Sequence, residues 1–183
     1  MGAPLQVKGF AWLNLLACVR EQFGPETLAS LEAAFPQHAA LFDDGAVLPV
    51  AWVPGELHCG AIEWLVTHQY AGAPSGAQEV GTMLAKRNLA GTFKSLSRME
   101  DLRTALASTQ RAFSQFYSRG TMVFTVKDVT LEARLSDFPA ASVSMGHCLG
   151  AGLVAFLEAG HLDARLERVE VGPGSIAYDV RLR

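Results

Sequence analysis

TMVFTVKDVTLEARLS, residues 121–136, is where the period of the chain changes. Before it, apolar residues recur every three or four positions. Within it Met122, Phe124 and Val126, then Val129, Leu131, Ala133 and Leu135, alternate with polar neighbours. A period of two places alternate side chains on one face, so the stretch is predicted to be an antiparallel hairpin with one buried side and a turn at Lys127-Asp128.

Towards the carboxy terminus, a long uncharged stretch from Pro139 to Gly160 has the spacing of a helix. A second hairpin follows, with Val169, Val171, Ile176, Tyr178 and Val180 arranged around Gly172-Pro173-Gly174. The half after Gly120 therefore reads ββαββ. Towards the amino terminus everything reads as helix. Trp12, Leu15, Leu16, Val19 and Phe23 form a first apolar stripe, which Gly24-Pro25 ends. Leu28, Leu31 and Phe35 form a second, ending before Pro36. Residues 41–54 are broken at Asp43-Asp44-Gly45, Pro49 and Pro54-Gly55, and are expected to be an irregular connection over a pocket. Leu57, Ala61, Trp64, Leu65 and His68 share a third helix face, which ends in a loop over residues 71–76. From Ala77 a fourth helix with Val80, Met83 and Leu84 runs towards Gly91, and Leu102, Leu106, Thr109, Phe113 and Phe116 form a seam on a fifth. The expected fold class is α+β: amino-terminal helices packed on a four-stranded antiparallel sheet with a ββαββ carboxy-terminal half. One domain is expected over residues 1–183, helical to about 120 and sheet from about 121.

The 183 residues are 50% hydrophobic but only 18% charged, below the roughly 25% of ordinary soluble domains. Part of the surface is expected to be covered, by a second copy in a homodimer or by a protein partner. A net charge of -3, with no basic run longer than Lys86-Arg87, argues against nucleic acid. Met1 to Lys8 lacks the basic and apolar regions of a secretory leader, so a cytoplasmic location is expected. Cys18, Cys59 and Cys148 are odd in number and unpaired in spacing, and are expected to be reduced and mostly buried. The uncharged run from Phe138 to Leu157 is expected to be a doubly buried helix rather than a membrane span, because glycines, serines and His147 fill its first half.

No motif for catalysis is complete. Ser142, Ser144 and Gly146 form half of a Gly-x-Ser-x-Gly elbow without its first glycine. Gly150-Ala151-Gly152 fits a dinucleotide fingerprint only loosely and falls inside a helix. Gly146 and Gly150 are instead expected to form a smooth interface on which another element packs closely. The five histidines, at 38, 58, 68, 147 and 161, are not spaced to converge on a metal, so no metal site is expected. A pocket for an apolar ligand is expected to be lined by Trp12, Trp64, Phe113, Phe116 and Tyr117, with His68 as its polar anchor.

Residues 7–31, VKGFAWLNLLACVREQFGPETLASL, carry a resemblance. They resemble the opening of a family of myxobacterial proteins and of the heme nitric-oxide/oxygen-binding domains, with a Lys-Gly pair at Lys8-Gly9 and a Phe-Gly stop at Phe23-Gly24. Residues 146–171, GHCLGAGLVAFLEAGHLDARLERVEV, look like the carboxy-terminal half of the same proteins. They also resemble the four-vinyl-reductase and transport-particle subunit domains. The heme-binding members hold iron through a histidine on the long helix before the sheet and grip the propionates with Tyr-x-Ser-x-Arg. The matching helix here, within LRTALASTQRAFSQFYSRG at 102–120, has no histidine, and Tyr117-Ser118-Arg119 has those letters at another spacing. On that ground heme is unlikely, and no cofactor is expected beyond a possible apolar ligand. Cys148 matches one cysteine of the four-vinyl-reductase cluster, but the closing hairpin has none to join it, and a thiolate zinc site needs three or four protein ligands. The expected function is a non-catalytic sensing, ligand-binding or adaptor domain. The alternative is a heme- or metal-dependent gas sensor of the heme nitric-oxide/oxygen-binding type.

Overall fold

In the computed structural model, which describes residues 3–91, 94 and 102–183, a short ladder precedes the expected helices. Strand β1 (Gln6–Lys8) pairs antiparallel with β2 (Trp52–Pro54), Val7 opposite Val53. Each strand runs directly into a helix that begins on glycine: α1 (Gly9–Phe23) and α3 (Gly55–Tyr70). Glycine is needed at both corners because the chain returns over them. A Cβ at Gly9 would lie 2.1 Å from the Leu48 carbonyl oxygen, and one at Gly55 2.5 Å from Leu5 Cγ. The irregular connection expected over residues 41–54 thus ends in a strand, and three residues flanked by prolines carry too short a period to announce one.

Between them lie α2 (Pro25–Ala34), with proline in its first turn, and a 3₁₀ turn at Pro36–Leu41. The Leu41 carbonyl accepts the indole N–H of the fully buried Trp12 at 2.8 Å. Helix α4 spans Pro74–Ala90, starting three residues earlier than its apolar pattern suggests. Pro74 in the first turn is preorganised for that start. The loop between α3 and α4 shrinks to residues 71–73, with Ala71 in the left-handed region and the Gly72 N–H bonded to the Val66 carbonyl. Helix α5 covers Leu102–Phe116.

The main sheet holds β3 (Thr121–Lys127), β4 (Thr130–Ser136), β5 (Ala164–Gly172) and β6 (Ser175–Leu182) in the order β3-β4-β6-β5, all antiparallel. Leu131, Ala133 and Leu135 are buried as their alternation demands. The first turn differs by one position. Lys127 pairs with Thr130, so the turn is Asp128-Val129, and Asp128 takes φ 52°, a conformation Asp tolerates better than most side chains. Val126 and Val129 are consequently exposed, at 44% and 49%.

Helix α6 (Val143–Ala159) is sandwiched between the sheet and α4. Cβ atoms at Gly146 and Gly150 would meet Val169 and Leu166 of β5 at 2.9 Å, and Gly150 would also meet the Tyr178 ring at 3.1 Å. The element that packs closely on the smooth face of Gly146 and Gly150 is the chain's own sheet. On the opposite side, a Cβ at Gly81 of α4 would fall 2.1 Å from the Cys148 carbonyl oxygen. Ser142, which stands where the elbow's first glycine would be, caps α6, its hydroxyl accepting the Met145 N–H at 3.2 Å. Among the described residues no helix is long and apolar enough to cross a membrane.

Candidate functional site

The cavity where α3, α4, α5 and α6 converge is the candidate site. Its wall is Ala11 of α1, His58 and Ile62 of α3, and Gly81, Leu84, Ala85 and Asn88 of α4. Thr109, Ala112, Phe113 and Phe116 of α5, Tyr117 and Met122 continue it, and Cys148, Leu149, Gly152, Leu153 and Phe156 of α6 complete it. The lining is almost wholly apolar, and the volume is about 100 Å³. Small residues on α6 make the space: a Cβ at Gly152 would meet nothing within 4 Å. Aromatic rings close the end nearest the sheet. Tyr117 lies 5.2 Å from Phe113 and 5.3 Å from Phe138, centroid to centroid.

Few polar groups reach this wall, and most are already engaged. Asn88 accepts a 2.6 Å hydrogen bond from the Asn14 amide, and the Thr109 hydroxyl donates to the Ala105 carbonyl at 2.8 Å. Burial pushes the Cys148 thiol up to about 12 and raises the Tyr117 phenol well above its ordinary value, so both keep their protons at neutral pH. His58 is different. It is fully buried, its Nδ1 has no hydrogen-bond partner, and desolvation lowers its pKa to about 4. A neutral imidazole with a free nitrogen therefore stands in an apolar wall. Its ring meets that of Tyr117 edge-on at 6.0 Å.

Of the residues expected to line a pocket, Phe113, Phe116 and Tyr117 do so. Trp12 is core instead, packed on Phe42 at 5.0 Å. Trp64 and His68 stack on each other at 4.2 Å on the outside of α3, His68 exposed and its Nδ1 2.8 Å from the Trp64 carbonyl. The buried face of α3 is Leu57, His58, Ala61, Ile62, Leu65 and Val66. That helix has apolar residues around most of its circumference, so a stripe drawn through Trp64 and His68 was rotated by part of a turn. Including Ile62 and Val66 in the pattern would have brought His58 inward. Cys18, Cys59 and Cys148 are free and buried. Ser118 and Arg119, after the helix that the resemblance singles out, serve the framework. Ser118 Oγ accepts the Gln6 N–H at 2.8 Å, and Arg119 binds the Asp137 carboxylate and the Ala3 carbonyl. Among the described residues no three His, Cys, Asp or Glu side chains gather to hold a metal ion.

No protein-family model and no curated protein matches the chain. Solved structures do. An H-NOX protein from S. oneidensis, in its Fe(II)NO ligation state, superposes with a TM-score of 0.71 at 11% identity, covering 96% of this chain and 99% of that one. The fold is that of the H-NOX domains. An Fe(II) unliganded H-NOX protein from K. algicida matches with a TM-score of 0.64 at 12% identity, covering 96% of each chain. An oxygen-binding H-NOX domain related to soluble guanylate cyclases, in its oxygen complex, gives 0.63 at 12% identity over 96% of this chain and 94% of that one.

These neighbours overturn the sequence expectation that heme is unlikely and that no cofactor is to be sought. That expectation tested two local motifs only, a histidine on α5 and a Tyr-x-Ser-x-Arg run, whereas the H-NOX architecture extends over nearly the whole chain. The wall is apolar and aromatic, and its one imidazole, that of His58, has an Nδ1 without a hydrogen-bond partner. Its volume is smaller than the roughly 300–1,000 Å³ of small-molecule and cofactor sites, and no lysine or arginine lines it.

Proposed function

We propose that this chain is a non-catalytic sensor domain that takes a heme into the cavity between α3, α5 and α6 and reports a small gas. The observation that carries this reading is the unpartnered imidazole of His58 in an apolar cavity at the heart of an H-NOX fold. When bound, the heme supplies an iron with a coordination position for a diatomic ligand. The chain's own residues do the rest. Phe113, Phe116 and Phe156 exclude water from the wall. Tyr117 links the wall to the framework, since it bridges to Val7 of β1 and packs on Phe138, which follows β4. Parting of α5 from α6 would therefore move β1 and the β4–α6 connection, and a partner touching either would sense occupancy.

We further propose that the protein works in the cytoplasm as one domain, with a second copy or a protein partner as the recipient of the signal. One apolar cluster running through both halves, three free buried thiols and exposed Leu48, Val50 and Trp52 support this. A second reading, a small apolar molecule held directly in the cavity, is favoured by the volume, which approaches that of an engineered cavity of about 150 Å³ that binds benzene. Absorption spectroscopy of the full chain titrated with hemin separates the two. A Soret band saturating at one heme per chain, shifted by carbon monoxide after reduction, supports the first. A spectrum that remains that of free hemin throughout the titration defeats it and leaves the second.

A further inference from the structure

We infer that the loop leading into β2 is a membrane-docking tip, which dips Leu48 and Val50 below the headgroups of a lipid surface and sets Trp52 at their level. Residues 45–55, GAVLPVAWVPG, contain no ionisable side chain. Val47 anchors the loop in the core, whereas Leu48 is 65% exposed, Val50 76% and Trp52 42%. Three large apolar side chains thus face water from one short stretch of chain. The inference goes beyond the sensor reading and is independent of what the cavity holds.

The backbone of the tip is already prepared for an apolar medium. Four successive carbonyls accept hydrogen bonds: Leu48 from the Ala51 N–H at 3.0 Å, Pro49 from the Phe10 N–H at 2.9 Å, Val50 from the Lys8 ammonium at 3.0 Å and Ala51 from the Gly9 N–H at 2.8 Å. Pro49 has no N–H to satisfy. Carrying an unpaired backbone group into lipid is costly, and these carbonyls bring none of that cost. The bonds from Gly9 and Phe10 also pin the tip to the start of α1, so its apolar side chains are held out in advance.

The chemistry favours lipid over a protein surface as the occupant. A stable protein interface takes about 800 Å² from each partner and about ten hydrogen bonds. Three side chains fall short of that area, and the carbonyls of the tip are taken. A lipid surface asks only for apolar area. The Lys8 ammonium lies 3.8 Å from the centroid of the Trp52 ring, and an indole beside a cation is the pairing that settles at the headgroup boundary. Asp43 and Asp44 precede the loop, Asp44 paired with Arg20 at 3.3 Å, so charge adds little attraction to an anionic surface. Binding is driven by apolar insertion, and is weak and reversible.

The test is flotation of the full chain with vesicles of pure phosphatidylcholine and of phosphatidylcholine mixed with phosphatidylserine, each at low and high salt. The variants are Leu48→Asp, Val50→Asp, Trp52→Phe and, as a control at an exposed valine on α6, Val143→Asp. Circular dichroism verifies that each is folded. The wild type and Val143→Asp are expected to float with both vesicles at either salt. Each aspartate at the tip is expected to lower partitioning roughly tenfold or more, since a carboxylate is strongly disfavoured in lipid. Brominated acyl chains are expected to quench the tryptophan emission of the wild type, and Trp52→Phe to remove that quenching. Failure of the wild type to float, equal flotation of the tip variants, or flotation that requires phosphatidylserine and vanishes at high salt would each overturn the assignment. Size-exclusion chromatography covers the remaining case: a wild-type dimer that Leu48→Asp turns into a monomer would give the tip to a second copy, and would overturn it as well.

Discussion

Burial of His58 without a partner has a consequence for stability that does not depend on any ligand. Its pKa lies near 4 in the folded chain, below the 6.5 of a free imidazole, because desolvation opposes the charged form. The unfolded chain therefore binds a proton before the folded one does. The stabilising contribution is complete above about pH 6.5 and is lost as the pH falls towards 4, at most about 3 kcal/mol in all. Urea unfolding at intervals across that window should show the decline, and His58→Gln should flatten it. An equal slope in the variant would mean that the imidazole is not held neutral. Trp12 offers a second test. Trp12→Phe keeps most of the ring packing against Phe42 but leaves the Leu41 carbonyl without its donor, and should cost about 1–3 kcal/mol in the same assay. Residue by residue, the sequence revealed aromatic lining where the apolar seam of α5 was narrow, at Phe113 and Phe116. It misplaced the polar anchor on α3, where apolar residues on nearly every side let two different stripes be drawn.

Opposite outcomes are expected from adding one methyl group to two glycines that both line the cavity. Gly81→Ala puts a carbon 2.1 Å from the Cys148 carbonyl oxygen, which belongs to the backbone of α6 and cannot turn aside. The helices α4 and α6 would be forced apart at a cost of about 1–3 kcal/mol. Gly152→Ala meets open space and removes a poor helix former, so it should stabilise by up to about 1 kcal/mol. Thermal unfolding of the two variants side by side checks the pair of signs. Among the described residues, the six α-helices and the four strands of the main sheet are legible because each repeats its period over seven or more residues. Strands β1 and β2 are not, since three residues beside Pro4, Pro49 and Pro54 cannot display alternation. Their pairing is fixed by chain return and by Gly9 and Gly55, features that appear only once distant segments meet.

For the molecule as a whole, the resemblance drawn from residues 7–31 and 146–171 led to the architecture, because element order and amphipathic faces survive at 11–12% identity. The cofactor could not be judged in the same way. A ligand set is a matter of which side chains converge in space, and the lining of the cavity draws on α3, α4, α5 and α6 together, segments far apart in the sequence. A cavity-filling substitution tests the site at this scale. Gly152→Leu should occupy the space left beside Thr109 and Phe156 without unfolding the protein, and should abolish the hemin-dependent Soret band. Retained melting temperature with lost hemin uptake is the expected pair. Full uptake in the variant would place heme elsewhere.

The residues around Gln6 are stitched to the exit of α5 from several directions. The Gln6 N–H reaches the Ser118 hydroxyl, the Ser118 N–H reaches the Gln6 carbonyl, Val7 bridges to Tyr117, and Arg119 grips Ala3. The two segments must travel together. A nitroxide label attached at exposed position 4 and another on the far edge of the sheet would thus act as callipers on the cavity, widening or narrowing with its contents although neither label touches them.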